Sequence, residues 1–447
     1  MQAPGLIIAA PHSGAGKTLV TLGIVRALCR RGLRVGSFKV GPDYIDPAFH
    51  LAAGAARCPN LDGWAMRLAT LARLADTAAN GVDVVIGEGV MGLFDGASDG
   101  SGATADLAAL LGYPVALVID TKGMGQSVAA LAAGFVQHRA DVDVLGLIFN
   151  RVAGERHARL LADACDDHLS TARLGALPAD PELHLPSRHL GLVQARERGD
   201  LEALIHRAAD HVDAHLDLDR LLTIARPHAL AAFGNHGSPV PVLGQRIAIA
   251  DDDAFAFSYA AVRDGWRDAG ASVHPFSPLA DEAPDADADA VMLPGGYPEL
   301  HAGSLAGNQR FLGGLKQAAE RGAVVYGECG GFMVMGETLI DGEGLRHRMA
   351  GLLPVSTAFD RPKLHLGYRR MTLRGACPLG PIGTGFRGHE FHYARLDGTA
   401  GTAPALFDTA DAMGRSLGTA GIQSGRVLGS FMHLIDRDDP QRPERGD

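Results

Sequence analysis

The stretch Ala323-Val324-Val325-Tyr326-Gly327-Glu328-Cys329-Gly330-Gly331 decides how the C-terminal half folds. Four apolar residues of strand type run into one cysteine set among glycines. Glycine permits the sharp strand-to-helix turn that exposes a nucleophile, here with cysteine in the place of serine. A helix N-terminus after such a turn favours the thiolate. The same strand–turn–helix grammar opens the chain. Leu6–Ala10 is an apolar strand, Ser13-Gly14-Ala15-Gly16-Lys17-Thr18 a glycine loop, and Thr18–Arg31 a helix.

Between these two points the chain alternates. Arg34–Val40, Val82–Ile86, Val115–Ile119 and Val144–Phe149 are apolar runs of strand length, separated by helical stretches such as Leu68–Asn80 and Ser127–His138. This predicts an α/β fold with a doubly wound parallel sheet. Residues 200–225 are helical and charged. Gly234-Asn235-His236-Gly237-Ser238-Pro239-Val240-Pro241 then breaks the pattern as a linker would. Beyond it the alternation restarts with a strand at Arg246–Ala250, a helix at Phe255–Gly265, and strands at Val291–Leu293 and Ala323–Tyr326. The acidic stretch Asp281–Asp289 reads as a solvated loop. The expected organisation is a first domain over 1–226, a linker over 227–243, a second parallel-sheet domain over 244–440 and a tail over 441–447.

Composition narrows the function classes. The 447 residues are 47% hydrophobic and 21% charged, as in a globular chain with sizeable cores. A formal net charge of −10 speaks against a nucleic-acid partner, whose phosphates need a basic face. Five scattered cysteines without a CxxC pair argue against a disulfide framework or a zinc site. Neither a signal-peptide pattern nor an apolar run of membrane-spanning length is present, so no membrane partner and a cytoplasmic location are expected. The oligomeric state is not legible; a homodimer is allowed.

The glycine loop carries phosphate chemistry. Gly14 and Gly16 let backbone N–H groups turn toward phosphate oxygens, Lys17 neutralises β/γ-phosphate charge, and the Thr18 hydroxyl is placed to ligate Mg²⁺. Pro11 stands where the full Walker pattern has glycine, which makes the loop a variant similar to that of dethiobiotin synthetase. Lys39, Asp43, Tyr44 and Asp46 follow the second strand, and Glu88 and Asp95 follow the strand Val82–Ile86. Carboxylates at the C-terminal ends of parallel strands lie where open α/β sheets bind ligands. Asp46 and Glu88 are therefore metal-ligand candidates beside Thr18, Lys39 joins the ATP site, and Asp43, Tyr44 and Asp95 are substrate-loop candidates. Asn150 ends the strand Val144–Phe149, where related nucleotide sites read the base.

Cys329 needs a base and an oxyanion hole. His433, after the short strand Arg426–Leu428, is the base candidate. Backbone N–H groups of Gly295 and Gly296, in Pro294-Gly295-Gly296-Tyr297-Pro298, suit an oxyanion. This order resembles a class I glutamine amidotransferase domain. Such domains carry a glutamate two residues after the histidine, and here that position is Ile435. Asp436 and Glu390 are candidates for a third member, and a cysteine–histidine dyad is the alternative.

The runs Val40-Gly41-Pro42-Asp43-Tyr44-Ile45-Asp46-Pro47-Ala48-Phe49-His50, Asn60-Leu61-Asp62, Gly87-Glu88-Gly89-Val90-Met91-Gly92-Leu93-Phe94-Asp95-Gly96 and Gly388-His389-Glu390-Phe391-His392-Tyr393 join the halves. Together they resemble the cobyrinic/hydrogenobyrinic acid a,c-diamide synthases, a P-loop NTPase-like domain fused to a glutaminase. The resemblance implies ATP, Mg²⁺, L-glutamine and a corrinoid acid as ligands. It implies phosphorylation of a carboxylate, then displacement of phosphate by ammonia released at Cys329. Alternatives are cobyric acid synthase-like amidation of other corrin carboxylates, or a P-loop regulatory ATPase with an inert C-terminal binding domain. The cobalt-free substrate, hydrogenobyrinic acid, is the expected one of the two.

Overall fold

The computed structural model describes residues 2–188, 191–231, 237–398 and 403–439. Part of the expected linker (232–236) and the expected tail (441–447) lie outside the described residues. The chain forms two compact units, 1–64 with 71–234, and 65–70 with 235–447.

The first unit is built on a seven-stranded sheet. Its strands are β1 (Gly5–Ala9), β2 (Val35–Val40), β3 (Asn60–Leu61), β4 (Val84–Glu88), β5 (Val115–Asp120), β6 (Val144–Val152) and β7 (Ala172–Pro178). Their order is β3-β2-β4-β1-β5-β6-β7, and every pairing is parallel. β1, β2 and β4 are buried along their whole length, as the continuous apolar runs require when helices cover both faces. The order reverses at β1, so a crevice opens at its C-terminal end. The glycine loop occupies that end and leads into the helix Lys17–Arg30. This helix crosses Leu201–His215 closely: a Cβ on Gly23 would lie 2.6 Å from the Ala208 carbonyl oxygen. A small antiparallel pair, β8 (Ser187–Arg188) and β9 (Gly191–Leu192), follows.

The second unit has a ten-stranded mixed sheet. Its parallel part comprises β10 (Arg246–Ala250), β11 (Ser272–Phe276), β12 (Ala290–Leu293) and β13 (Val324–Glu328). A separate four-stranded sheet holds β14 (Thr338–Ile340), β15 (Arg346–Arg348), β16 (Ser356–Ala358) and β19 (Arg395–Leu396). The main sheet continues through β17 (His365–Leu373), β18 (Gly385–His392), β20 (Ala405–Ala410), β21 (Ser416–Ser424), β22 (Val427–Ser430) and β23 (Met432–Arg437). β22 joins β13 in parallel; the remaining strands pair antiparallel. The parallel core is thus extended by an antiparallel meander, which hairpin-length connections allow. Val291, Leu293, Val325, Phe311, Leu315, Phe332 and Met335 form its core. Each such fully buried apolar side chain contributes about 1.5–3 kcal/mol.

One helix differs from expectation: it spans Ala260–Asp268 rather than 255–265. The preceding residues serve the neighbouring turn, with Phe257 N–H donating to Gly295 O at 2.9 Å and Tyr297 N–H to Ala254 O at 3.1 Å.

Candidate active sites

In the first unit the C-terminal ends of the strands gather a buried charge cluster. Gly14 and Gly16 hold φ of 81° and 95°, the left-handed region glycine adopts without strain. A Cβ on Gly16 would sit 2.3 Å from Asn150 Nδ2. Asn150 donates to Ala15 O at 2.8 Å, tying the end of β6 to the loop. Gly16, Asn150, Arg151, Pro178, Asp180 and His211 line one cleft there.

Glu88, the last residue of β4, is fully buried. Its Oε1 accepts from Thr18 Oγ1 at 2.7 Å and from Lys39 Nζ at 2.7 Å, and its Oε2 lies 2.7 Å from His50 Nε2. Lys39 Nζ also lies 2.5 Å from Asp46 Oδ2. Burial works against charge on Glu88, but Lys39 and His50 outweigh it and hold the carboxyl well below the usual range. Burial likewise opposes charge on Lys39, yet Asp46 and Glu88 hold it above an ordinary lysine. Lys17 donates to Met91 O at 2.6 Å. Its pKa is lowered to about 8, first by burial and then by Lys39.

His50 escaped the sequence reading as a site residue, although it closes one of the quoted runs. The Ser37 hydroxyl donates to Ile86 O at 2.6 Å, so it accepts from His50 Nδ1, 2.6 Å away. With Nε2 facing Glu88, both ring nitrogens carry protons. Burial opposes that charge, but Cys58 and Glu88 outweigh it and raise the pKa to about 10.

The substrate-loop candidates fare differently. Asp43 Oδ1 accepts from the N–H groups of Ile45 and Asp46 at 2.9 and 3.0 Å, and so shapes the turn into the helix Asp46–Ala52. Asp95 Oδ2 accepts from Gly92 N–H at 2.9 Å and the residue is exposed. Tyr44 is half-buried. For a metal, the cluster offers the Thr18 hydroxyl with the Glu88 and Asp46 carboxylates, hard oxygen donors of the kind Mg²⁺ takes. The donor chemistry fits that ion.

In the second unit Cys329 follows β13 and precedes the helix Gly330–Met335. Its φ of 48° is a strained value for a side-chain residue, at a cost of roughly 1–3 kcal/mol. The elbow is held by Cys329 N–H donating to Ser430 O at 2.8 Å. Close packing fixes the second glycine after the cysteine: a Cβ on Gly331 would lie 1.9 Å from Leu293 O. Burial pushes the thiol up, with Glu299 adding to it. The expected tilt toward thiolate is thus overridden by burial, and the resting thiol needs a base.

His433 on β23 is fully buried. Its pKa lies well below an ordinary histidine, through burial and then through His389 and His392. The ring is neutral and able to take a proton. A Cβ on Gly295 would lie 2.4 Å from His433 Cε1, 3.3 Å from His433 Nε2 and 3.3 Å from Cys329 Cβ. The bare Gly295 therefore sits against both residues, on the Cε1–Nε2 edge of the imidazole. A Cβ on Gly296 would meet Ala254 O at 2.1 Å.

Both acids suggested as third members are engaged elsewhere. Asp436 Oδ2 accepts from Arg67 N–H at 2.9 Å and its Oδ1 from Arg67 Nε at 2.9 Å. Glu390 Oε2 accepts from Arg369 Nε at 2.8 Å, and its Oε1 lies 2.7 Å from His392 Nε2. The acid the sequence reading passed over is Glu328, whose Oε2 lies 3.8 Å from His433 Nδ1.

Two family models match the chain. Residues 6–193 match the family described as CobQ/CobB/MinD/ParA nucleotide binding domain. Residues 246–440 match the CobB/CobQ-like glutamine amidotransferase domain. The hydrogenobyrinate a,c-diamide synthase of Brucella suis is 53% identical, over 97% of this chain and 98% of that protein. Its namesake from Rhizobium meliloti is 52% identical over 97% and 99%, and that from Mesorhizobium japonicum 50% over 98% and 99%. With half of its residues shared along nearly its whole length, the chain belongs to the hydrogenobyrinate a,c-diamide synthase family.

Proposed function

We propose that this chain amidates the a and c carboxylates of hydrogenobyrinic acid, a step of cobalamin biosynthesis, using ATP and glutamine. The observation that carries the reading is the pairing, in one chain, of a buried Cys329–His433 site with the Lys17–Thr18–Glu88–Lys39 cluster. A carboxylate is a poor electrophile. Transfer of the γ-phosphoryl group to a carboxylate oxygen forms an acyl phosphate and ADP. Ammonia then adds to the acyl carbon and phosphate leaves with the C–O bond pair, giving the amide. Gly14, Gly16 and Lys17 cradle the phosphates, Lys39 follows the charge of the moving phosphoryl group, and Asn150 contacts the base. Thr18, Asp46 and Glu88 would hold Mg²⁺, which supplies neutralisation of β/γ-phosphate charge when bound. Asp43, Tyr44 and Asp95 border the substrate, Asp43 by shaping its loop.

At the other site His433 takes the Cys329 proton and the sulfur attacks the glutamine carboxamide. The backbone at Gly295 and Gly296 stabilises the oxyanion of the tetrahedral adduct. The C–N bond breaks, ammonia leaves with the proton that His433 returns, and water hydrolyses the thioester left behind to glutamate. Cys329→Ala tests the division of labour. Glutamine hydrolysis disappears while ammonia-driven amidation survives; loss of both in a folded variant would sink it. Competition between hydrogenobyrinic and cobyrinic acids decides the corrinoid, with preference for the cobalt-free ring expected.

A further inference from the structure

We propose that Glu328, the residue immediately before the nucleophile, completes the cysteine site as the acid that orients His433. This rests on the reading of Cys329 and His433 as nucleophile and base. Gly295 lies against the Cε1–Nε2 edge of His433 and against Cys329 Cβ, while His433 Nδ1 is 3.8 Å from Glu328 Oε2. That separation is an ion-pair distance and too long for a hydrogen bond, but catalytic contacts commonly tighten only once substrate is bound. The carboxylate is otherwise held in place. Its Oε1 accepts from Tyr326 Oη at 2.9 Å and from Leu434 N–H at 3.0 Å. The second bond comes from the residue next to His433, so it locks the carboxylate to the strand that carries the base. Oε2 is the oxygen left facing the imidazole.

The position usual for this acid is Ile435, buried and unable to serve. Asp436 and Glu390 are committed to Arg67 and Arg369. An acid on the elbow strand offers a different solution: one short segment, Tyr326 to Cys329, supplies both the nucleophile and the group behind its base. Ionised Glu328 would fix the tautomer with hydrogen on Nδ1 and stabilise the imidazolium formed when Cys329 loses its proton. The groups around it are Tyr326 on its own strand, His433 on β23 with His389 stacked on that ring, and Tyr259 and Arg263, which line the same narrow cavity. Arg263 pairs with Asp251 at 3.4 Å. Burial raises the Glu328 pKa to about 7, against the two hydrogen bonds that lower it. The orienting charge is therefore present above about pH 7 and lost below it.

The test uses the full chain with glutamine as probe, reading glutamate release against pH, with ammonia-supported amidation and thermal melting as controls. Glu328→Gln lowers kcat about 100-fold with little change in KM and removes the activity limb near pH 7. Glu328→Asp restores part of the rate and retains a pH limb. Wild-type hydrolysis with an unchanged pH profile in Glu328→Gln would overturn the proposal. So would equal losses in Gln and Asp variants accompanied by lowered melting temperatures, which mark a packing role. If instead Cys329→Ala still hydrolyses glutamine, the underlying reading of the thiol site fails, whatever Glu328 does.

Discussion

The Thr18 hydroxyl donates to the buried Glu88 carboxylate at 2.7 Å, joining the first turn of the loop helix to the end of β4. The same Glu88 oxygen takes Lys39, and the other faces His50. Removing Glu88 leaves two buried cations without their shared anion. We predict that Glu88→Ala abolishes ATP-dependent amidation from both glutamine and ammonia. Stability should fall by about 3–5 kcal/mol, as when one partner of a buried ion pair is lost. Denaturant melts and an ammonia-fed assay check this; an active variant of unchanged stability would refute it.

Lys17 carries a pKa lowered to about 8, so part of its charge is missing in the empty site at that pH. Phosphate oxygens favour the charged form. We therefore expect ATP binding at pH 8 to take up protons, and affinity to weaken as pH rises further. Calorimetry in buffers of different ionisation enthalpy measures the uptake, which should vanish in Lys17→Met. Binding enthalpies independent of buffer would contradict the assignment.

His50 gives a stability signature. Its folded pKa of about 10 lies above the ordinary 6.5, so its stabilising contribution is complete below pH 6.5 and fades as pH rises toward 10. The gap in melting temperature between wild type and His50→Gln should narrow across that window. A constant gap would mean that the imidazolium between Ser37 and Glu88 is absent.

Gly295 reports on the thiol site. A methyl group there would meet His433 Cε1 at 2.4 Å and must push the ring. Misplacement by about 1 Å costs on the order of 100-fold in rate. Gly295→Ala should lose glutamine hydrolysis to that extent and keep ammonia-driven amidation. Full glutaminase activity in this variant would separate His433 from the reaction.

The parallel sheets were legible because buried strands write themselves as continuous apolar runs between helical stretches. The elbow was legible for a related reason: glycine spacing around Cys329 specifies a local backbone conformation, and φ of 48° is what it produces. Contacts set by non-local pairing were not. Glu328 precedes the cysteine in sequence, yet its relation to His433 depends on β23, a strand paired with β18, bringing Leu434 N–H to Glu328 Oε1, which no local pattern announces. In the sequence His50 is one histidine among 19, and only the Ser37 and Glu88 contacts at its two nitrogens distinguish it. Residues 65–70 fall within the segment expected as the first domain, 1–226, but they group with the second unit, where Arg67 engages Asp436. Alternation in the antiparallel meander was also weak, since its strands mix buried and exposed polar residues.

The most direct measurement supplies hydrogenobyrinic acid, ATP, Mg²⁺ and glutamine labelled with ¹⁵N in its amide, and follows the corrinoid by mass spectrometry. A diamide carrying label at both new nitrogens is predicted, with label absent when Cys329→Ala is fed unlabelled ammonium in place of hydrolysed glutamine. A corrinoid left unamidated, or amidated without label by the wild-type chain in ammonium-free buffer, would contradict glutamine-driven a,c-diamide formation.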